Sequence, residues 1–278
     1  MNSSQYSADV LSKVNFAEVA LPTGVRMRYA EYGDPQGESI LFLHGFTDSW
    51  FSFSPVLAHL DAAKYHVYMP DQRGHGNSSA PETDYSVEAF ARDAIALLDY
   101  VGISQVTLIG HSMGSMVAQR VAVRAPERVK RLVLIGSAAN TVSDEQNEFL
   151  AVVNELTDPV PEEFAREFQT STIHRPVSDA FIAGVIAETM KLSARVWQGT
   201  LGELVTSSAA SPVEQIQCPT LILYGENDGV WPREEQDVLA ARIPRAELKL
   251  YPDTGHALHW EQPEAFARDL EAFISAGL

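Results

Sequence analysis

VTLIGHSMGSMVAQRVA, residues 106–122, joins a short apolar run to a helical pattern through a serine set between glycines. Residues 106–109 are nearly continuous in apolar character, as expected of a strand covered on both faces. Met116, Val117, Val121 and Ala122 then recur at helical spacing. Between the two patterns, Gly110, His111, Ser112, Met113 and Gly114 spell G-x-S-x-G in the strand-turn-helix setting that gives this motif its meaning. The glycines have a steric purpose, because so sharp a turn brings neighbouring backbone where side chains would stand. The bend lifts the Ser112 hydroxyl above the carboxyl ends of the strands. It also leaves the Met113 amide at a helix N-terminus, where a developing anion is favoured.

Outward from this turn, residues 40–43, 67–69, 132–135 and 221–224 are further buried-strand runs, and residues 247–251 read as the last strand. Residues 14–20 and 25–32 alternate around Pro22, Thr23 and Gly24, which predicts an antiparallel hairpin. Val87, Phe90, Ala91, Ala94, Ile95, Leu98 and Val101 form one helical stripe, with Asp84 or Ser86 as N-cap and Gly102 past the end. Strands alternating with helices, and a hairpin at one edge, predict an α/β fold with a mostly parallel, doubly wound, eight-stranded sheet. Residues 138–217 break the alternation. Helical spacing recurs there through 147–156, 162–168 and 179–192, punctuated by Pro159, Pro161, Pro176 and Pro212. A structureless loop of that length is improbable in a compact domain, so this interval reads as an inserted helical cap. The core is then residues 1–137 and 218–278.

The 278 residues carry 37 acidic against 20 basic side chains, a formal charge of −17. That charge repels phosphate backbones and anionic bilayers, so neither nucleic acid nor membrane is an expected partner. Residues 1–13 hold no apolar run of signal-peptide length, and no stretch approaches the ~20 apolar residues of a membrane span. A cytoplasmic protein is expected. The single cysteine, Cys218, can form neither an intramolecular disulfide nor a thiolate metal site, and reads as a small buried hydrophobe.

A serine hydroxyl needs a base, and the base an orienting acid. Of the eight histidines, His256 lies on a loop beyond the final strand, on the same rim as Ser112, and is the expected base. His259 is its rival. His59, His66 and His174 have no motif around them, and His44 reads as a packed residue holding the Gly45 turn. The segment after residues 221–224 offers two acids on that rim, Glu226 and Asp228. No H-E-x-x-H or G-x-G-x-x-G occurs, so neither a metal nor a dinucleotide cofactor is expected. Trp197, Trp231 and Trp260 are candidate pocket walls, Trp231 foremost.

Taken together, Leu43 to Phe46, Asp71 to Gly76 with Ser78, Gly110 to Gly114, Cys218 to Leu221, Gly225, Asp228, Pro232, Gly255, His256, Glu261 and Pro263 resemble the α/β-hydrolase superfamily, over residues 14–274. The resemblance implies a Ser112–His256–Asp228 triad, with Asp228 preferred to Glu226 because the family's acid stands there. It also implies an oxyanion hole from the Phe46 and Met113 amides. Serine at 112 departs from epoxide hydrolases and haloalkane dehalogenases, which have aspartate there. Phe46 to Ser49 departs from the glycine-rich turns of several lipases and dienone hydrolases. What remains is similar to the small esterase, lactonase and cofactor-free haloperoxidase group. The expectation is cleavage of a small-molecule ester or lactone through an acyl-enzyme. The alternatives are C–C hydrolysis or perhydrolysis with the same triad, or a hydrolase-fold ligand receptor. Neither substrate identity nor oligomeric state is encoded in these motifs.

Overall fold

The computed structural model, which describes residues 9–206 and 209–276, contains one eight-stranded sheet. Strands β1 (Asn15–Ala20) and β2 (Arg26–Gly33) form the antiparallel edge hairpin. Strands β3 (Glu38–Leu43), β4 (Tyr65–Pro70), β5 (Val106–His111), β6 (Val129–Ile135), β7 (Thr220–Gly225) and β8 (Ala246–Tyr251) complete the spatial order β1-β2-β4-β3-β5-β6-β7-β8. β2 runs antiparallel to β4, and every pairing from β4 to β8 is parallel. The chain steps from β3 outward to β4, then crosses back to β5 on the other side of β3. Such a reversal opens a crevice at the carboxyl ends of the two strands.

The longer helices are α1 (Val87–Tyr100), α2 (Met113–Arg124), α3 (Asp144–Asn154), α4 (Glu162–Ser171), α5 (Asp179–Thr189), α6 (Ala194–Leu204), α7 (Arg233–Arg242) and α8 (Pro263–Ser275). Alternate strand residues feed opposite layers. Leu41, Leu43 and Leu108 pack with Phe90 and Leu97 of α1 and Met116 and Val117 of α2. Ile40, Phe42 and Ile109 pack with Phe266 and Leu270 of α8. Both faces of the central strands are thus covered, which is why their sequences are apolar runs and not alternations. Ser86, not Asp84, caps α1, its hydroxyl accepting the Ala89 amide at 3.2 Å, and Gly102 follows the helix at φ +73°. Cys218 is buried, which pushes its thiol up to about 11. Among the described residues no helix is long and apolar enough to cross a membrane.

Between β6 and β7 the described residues form helices α3 to α6 and no strand. The spacing located the first three, with shifted ends: α3 begins at Asp144, capped by Ser143, and α5 stops at Thr189. Helix α6 was not anticipated. Gly199 and Gly202 each weaken a helix by about 1 kcal/mol relative to alanine, which hides the pattern. Gly199 is required because a Cβ there would stand 2.9 Å from the Tyr85 ring. Tertiary burial outweighs propensity: Trp197 of α6 is fully buried against Phe46, Phe164 and Phe168, where truncation of such a side chain costs about 3–5 kcal/mol.

Candidate active site

Ser112 sits at the junction of β5 and α2 with φ +50° and ψ −119°, a conformation that costs about 1–3 kcal/mol and persists only where the surroundings enforce it. They do enforce it. The Ser112 amide donates to Ile135 O of β6 at 2.9 Å, while its carbonyl accepts from Ser115 N at 2.8 Å. A Cβ on Gly114 would lie 2.1 Å from Leu43 O, and one on Gly110 2.2 Å from Gly114 O. The close approach inferred from the sequence is therefore backbone against backbone, where nothing can swing aside. Among the described residues, neither the Met113 amide nor the Phe46 amide has a hydrogen-bond acceptor. Both residues line the cavity beside Ser112.

Asp228 leaves the turn after β7 with its side chain fully buried. Its Oδ1 accepts the Val230 and Trp231 amides at 2.7 and 3.1 Å, and its Oδ2 lies 2.8 Å from His256 Nδ1. A carboxylate so anchored fixes the imidazole tautomer, with the proton on Nδ1 and a lone pair on Nε2. Glu226, by contrast, is exposed. His256 rides the loop after β8. That loop is clamped by Glu261, whose carboxylate accepts the amides of Gly255, His174 and Arg175. Gly136 completes the fit: it lies at φ +51°, and a Cβ there would be 2.7 Å from His256 Nδ1. Ser112 and His256 line one cavity without a direct hydrogen bond between them. Such contacts commonly tighten only once substrate is bound.

The other histidines separate cleanly from this pair. His44 is fully buried, donating through Nδ1 to Gly45 O at 2.8 Å and accepting the Gln72 amide on Nε2 at 2.9 Å, so it holds the Gly45 turn. His259 is engaged elsewhere, its Nε2 lying 3.1 Å from Ser52 Oγ, while Asp228 Oδ2 meets His256. Burial holds His44 and His259 well below the usual imidazole range, and it lowers His111 as well. All three are neutral near pH 7, so none adds positive charge beside His256.

The cavity has a volume of ≈ 260 Å³. Ser112, His256 and the two amide-bearing residues share it with Met116, Phe149, Phe168, Leu201, Val230 and Trp231. The expected wall Trp231 is present, Trp260 also lines the cavity, and Trp197 lies in the core behind Phe46. Two acids, Asp48 and Glu145, stand in the lining, with no lysine or arginine. Sequence reasoning missed Gly136, Asp48 and Gln169. The first had a signal, a glycine directly after a buried strand; the other two are brought in by contacts distant along the chain.

Residues 38–263 match the family model described as alpha/beta hydrolase fold. Lipase 3 of Moraxella sp. (strain TA144) is 27% identical over 270 residues, covering 94% of this chain and 85% of that protein. The 3-oxoadipate enol-lactonase 2 of Acinetobacter baylyi (strain ATCC 33305 / BD413 / ADP1) is 25% identical over 262 residues, covering 94% and 97%. Among solved structures, an esterase from Exiguobacterium antarcticum superposes with a TM-score of 0.86 at 21% identity, over 94% of this chain and 99% of that one, a likeness of fold. With the family model spanning most of its length and the eight-stranded, mostly parallel sheet that the sequence led one to expect, the chain belongs to the α/β-hydrolase fold family.

Proposed function

We propose that this protein is a serine hydrolase that cleaves small, uncharged carboxylic esters or lactones through an acyl-enzyme. The observation that carries the proposal is the 2.8 Å Asp228–His256 hydrogen bond, opening on the same cavity as a strained Ser112 and two unused backbone amides. Ser112 Oγ attacks the carbonyl carbon while His256 Nε2 takes its proton, and Asp228 stabilises the resulting imidazolium. The Phe46 and Met113 amides receive the oxyanion, the kind of donor whose loss costs about 10²–10³ in kcat. The imidazolium then gives its proton to the leaving alkoxide as the C–O bond breaks. In the second half His256 takes a proton from water, hydroxide attacks the acyl carbon, and Ser112 leaves with that proton restored.

The lining supports the substrate class. Its volume lies just below the usual range of ligand pockets, roughly 300–1,000 Å³, and its walls are mostly apolar. An anionic acyl group would meet Asp48 and Glu145 with no cation to pair with, against the repulsion of a chain at −17. The test is a panel of neutral aliphatic and aryl esters, neutral lactones and carboxylate-bearing half-esters, assayed with wild type and Ser112→Ala. Turnover of neutral substrates lost in Ser112→Ala, with a fluorophosphonate labelling wild type alone, is expected. Labelling at another serine, or residual turnover in the variant, refutes the nucleophile. A preference for the half-esters refutes the substrate class.

A further inference from the structure

Gln169, on α4 of the inserted helices, is 1% exposed, and its amide nitrogen meets three oxygens. The two Nε2 hydrogens are shared among Thr189 Oγ1 at 2.8 Å, Thr47 Oγ1 at 2.9 Å and Asp48 Oδ1 at 3.2 Å. The amide's orientation is dictated by its neighbours. Asp48 can only accept, and the Thr189 hydroxyl already spends its proton on Val185 O at 3.0 Å, so both require the NH₂ group. Two of the three contacts fall on the segment directly after Phe46.

That segment needs holding. Thr47 is a fully buried, β-branched residue at φ +64°, a left-handed conformation that costs an L-residue about 1–2 kcal/mol and persists only where neighbours over-determine it. Within the loop, Asp48 N reaches Gly45 O at a long 3.3 Å. Asp48 is tied from the core by Ser52 Oγ at 3.2 Å, whereas Thr47 Oγ1 is met by Gln169 across the boundary between insertion and sheet. If Thr47 relaxes toward negative φ, the Phe46–Thr47 peptide plane rotates, and the preceding Gly45–Phe46 peptide, which carries the Phe46 N–H, is displaced through the shared Phe46 Cα.

Resting on the acyl-enzyme reading above, we propose that Gln169 is a positioning residue: from the inserted helices it locks Thr47 in its left-handed conformation and so aims the Phe46 amide at the oxyanion. The insertion then sets catalytic geometry as well as walling the cavity. It ranks as a positioning residue because it works through backbone that would bind the oxyanion.

The experiment is a double-mutant cycle of Gln169→Leu with Thr47→Gly, read as kcat and KM on a neutral p-nitrophenyl ester, with melting temperatures alongside. Glycine adopts φ +64° without strain, so it removes the need for the lock. Gln169→Leu is expected to lower kcat about 10- to 100-fold with KM moved less than about threefold, the signature of an interaction made in the transition state. In the Thr47→Gly background the same change is expected to cost less than about threefold. A general loosening of the insertion, or the loss of a donor to the buried Asp48, would lower kcat equally in both backgrounds, and that result overturns the proposal. So does a Gln169→Leu kcat within about threefold of wild type. Thr189→Val weakens the footing of Gln169 without touching the loop, and is carried through the same cycle in case the leucine chain does not fold; absence of coupling there also overturns the proposal. Failure of the acyl-enzyme reading is seen separately, as turnover retained in Ser112→Ala.

Discussion

Replacing Asp228 by asparagine changes one atom and, by the geometry of its turn, reverses the proton placement on His256. The asparagine carbonyl oxygen remains on the Val230 and Trp231 amides, 2.7 and 3.1 Å from the present Oδ1, because both are donors. Rotating the amide by 180° would leave those donors facing an NH₂ group, at a cost of about 1–3 kcal/mol. The new Nδ2 hydrogens are therefore directed at His256 Nδ1, which must answer with a lone pair, and the imidazole proton moves to Nε2. In the proposed mechanism, that is the nitrogen that receives the Ser112 proton. The equivalent change in a serine protease lowers kcat about 10⁴-fold, or about 5 kcal/mol of barrier, and a loss of that order is expected here. Initial rates on a p-nitrophenyl ester, with the rate of fluorophosphonate labelling as a second readout, measure it. Glu226→Gln is the control two residues away on the exposed side of the turn, and should stay within about threefold of wild type. Retention of more than about a tenth of wild-type turnover by Asp228→Asn, or a larger loss in Glu226→Gln, refutes the role given to the buried carboxylate.

Three further perturbations follow from the same coordinates. Phe168 lines the cavity while Phe181, which does not, stacks on Phe51 and packs against Trp260, so Phe168→Ala should shift the preferred acyl length upward and Phe181→Ala should lower the melting temperature with an unchanged length profile; identical profiles would contradict this division. Gly136→Ala places a methyl 2.7 Å from His256 Nδ1 at a positive φ, and should cost at least about 10²-fold in kcat, checked by steady-state kinetics against an unchanged far-UV spectrum. Burial raises the Asp71 carboxyl to about 6, against two amide donors that work the other way. The folded state thus holds this proton more tightly than the unfolded chain, so the contribution to stability is full below pH 4 and is lost as pH rises through 6, by at most ~3 kcal/mol. Asp71→Asn removes that dependence, and denaturant midpoints of variant and wild type at pH 4 and pH 7 should diverge accordingly; parallel pH profiles would exclude it.

How much of this was legible in the chain depended on whether the controlling contact was local. The strand-turn-helix around Ser112 could be read because Gly110 and Gly114 answer to backbone only a few residues or one strand away. The hairpin and the α1 stripe were legible for the same reason, each being a periodicity within one element. Glu226 and Asp228, two residues apart on one turn, are separated in the structure by which of them meets the Val230 and Trp231 amides, and no spacing rule records that. Phe168 and Phe181 both look like helical apolar residues, and only packing sends one to the cavity and the other to a separate cluster with Trp260. Gln169 gave no signal at all, since the partner that explains it is 122 positions away. Helix α6 was lost because Gly199 serves the Tyr85 ring and not the helix, and Gly202 weakens the pattern further.

The two acids in the cavity wall acquire a second meaning once the direction of the reaction is considered. An ester arrives neutral and departs as an alcohol and a carboxylate, so the reaction itself turns a tolerated guest into one that Asp48 and Glu145 repel. On the proposed acyl-enzyme chemistry the chamber is expected to act as a charge-sorting valve, whose outward bias arises only after the acyl bond has been broken. Its signature is weak competitive inhibition by carboxylate products relative to alcohols of matched size, with the gap narrowing as added salt screens the wall. Equal inhibition by the two products would show that expulsion owes nothing to charge.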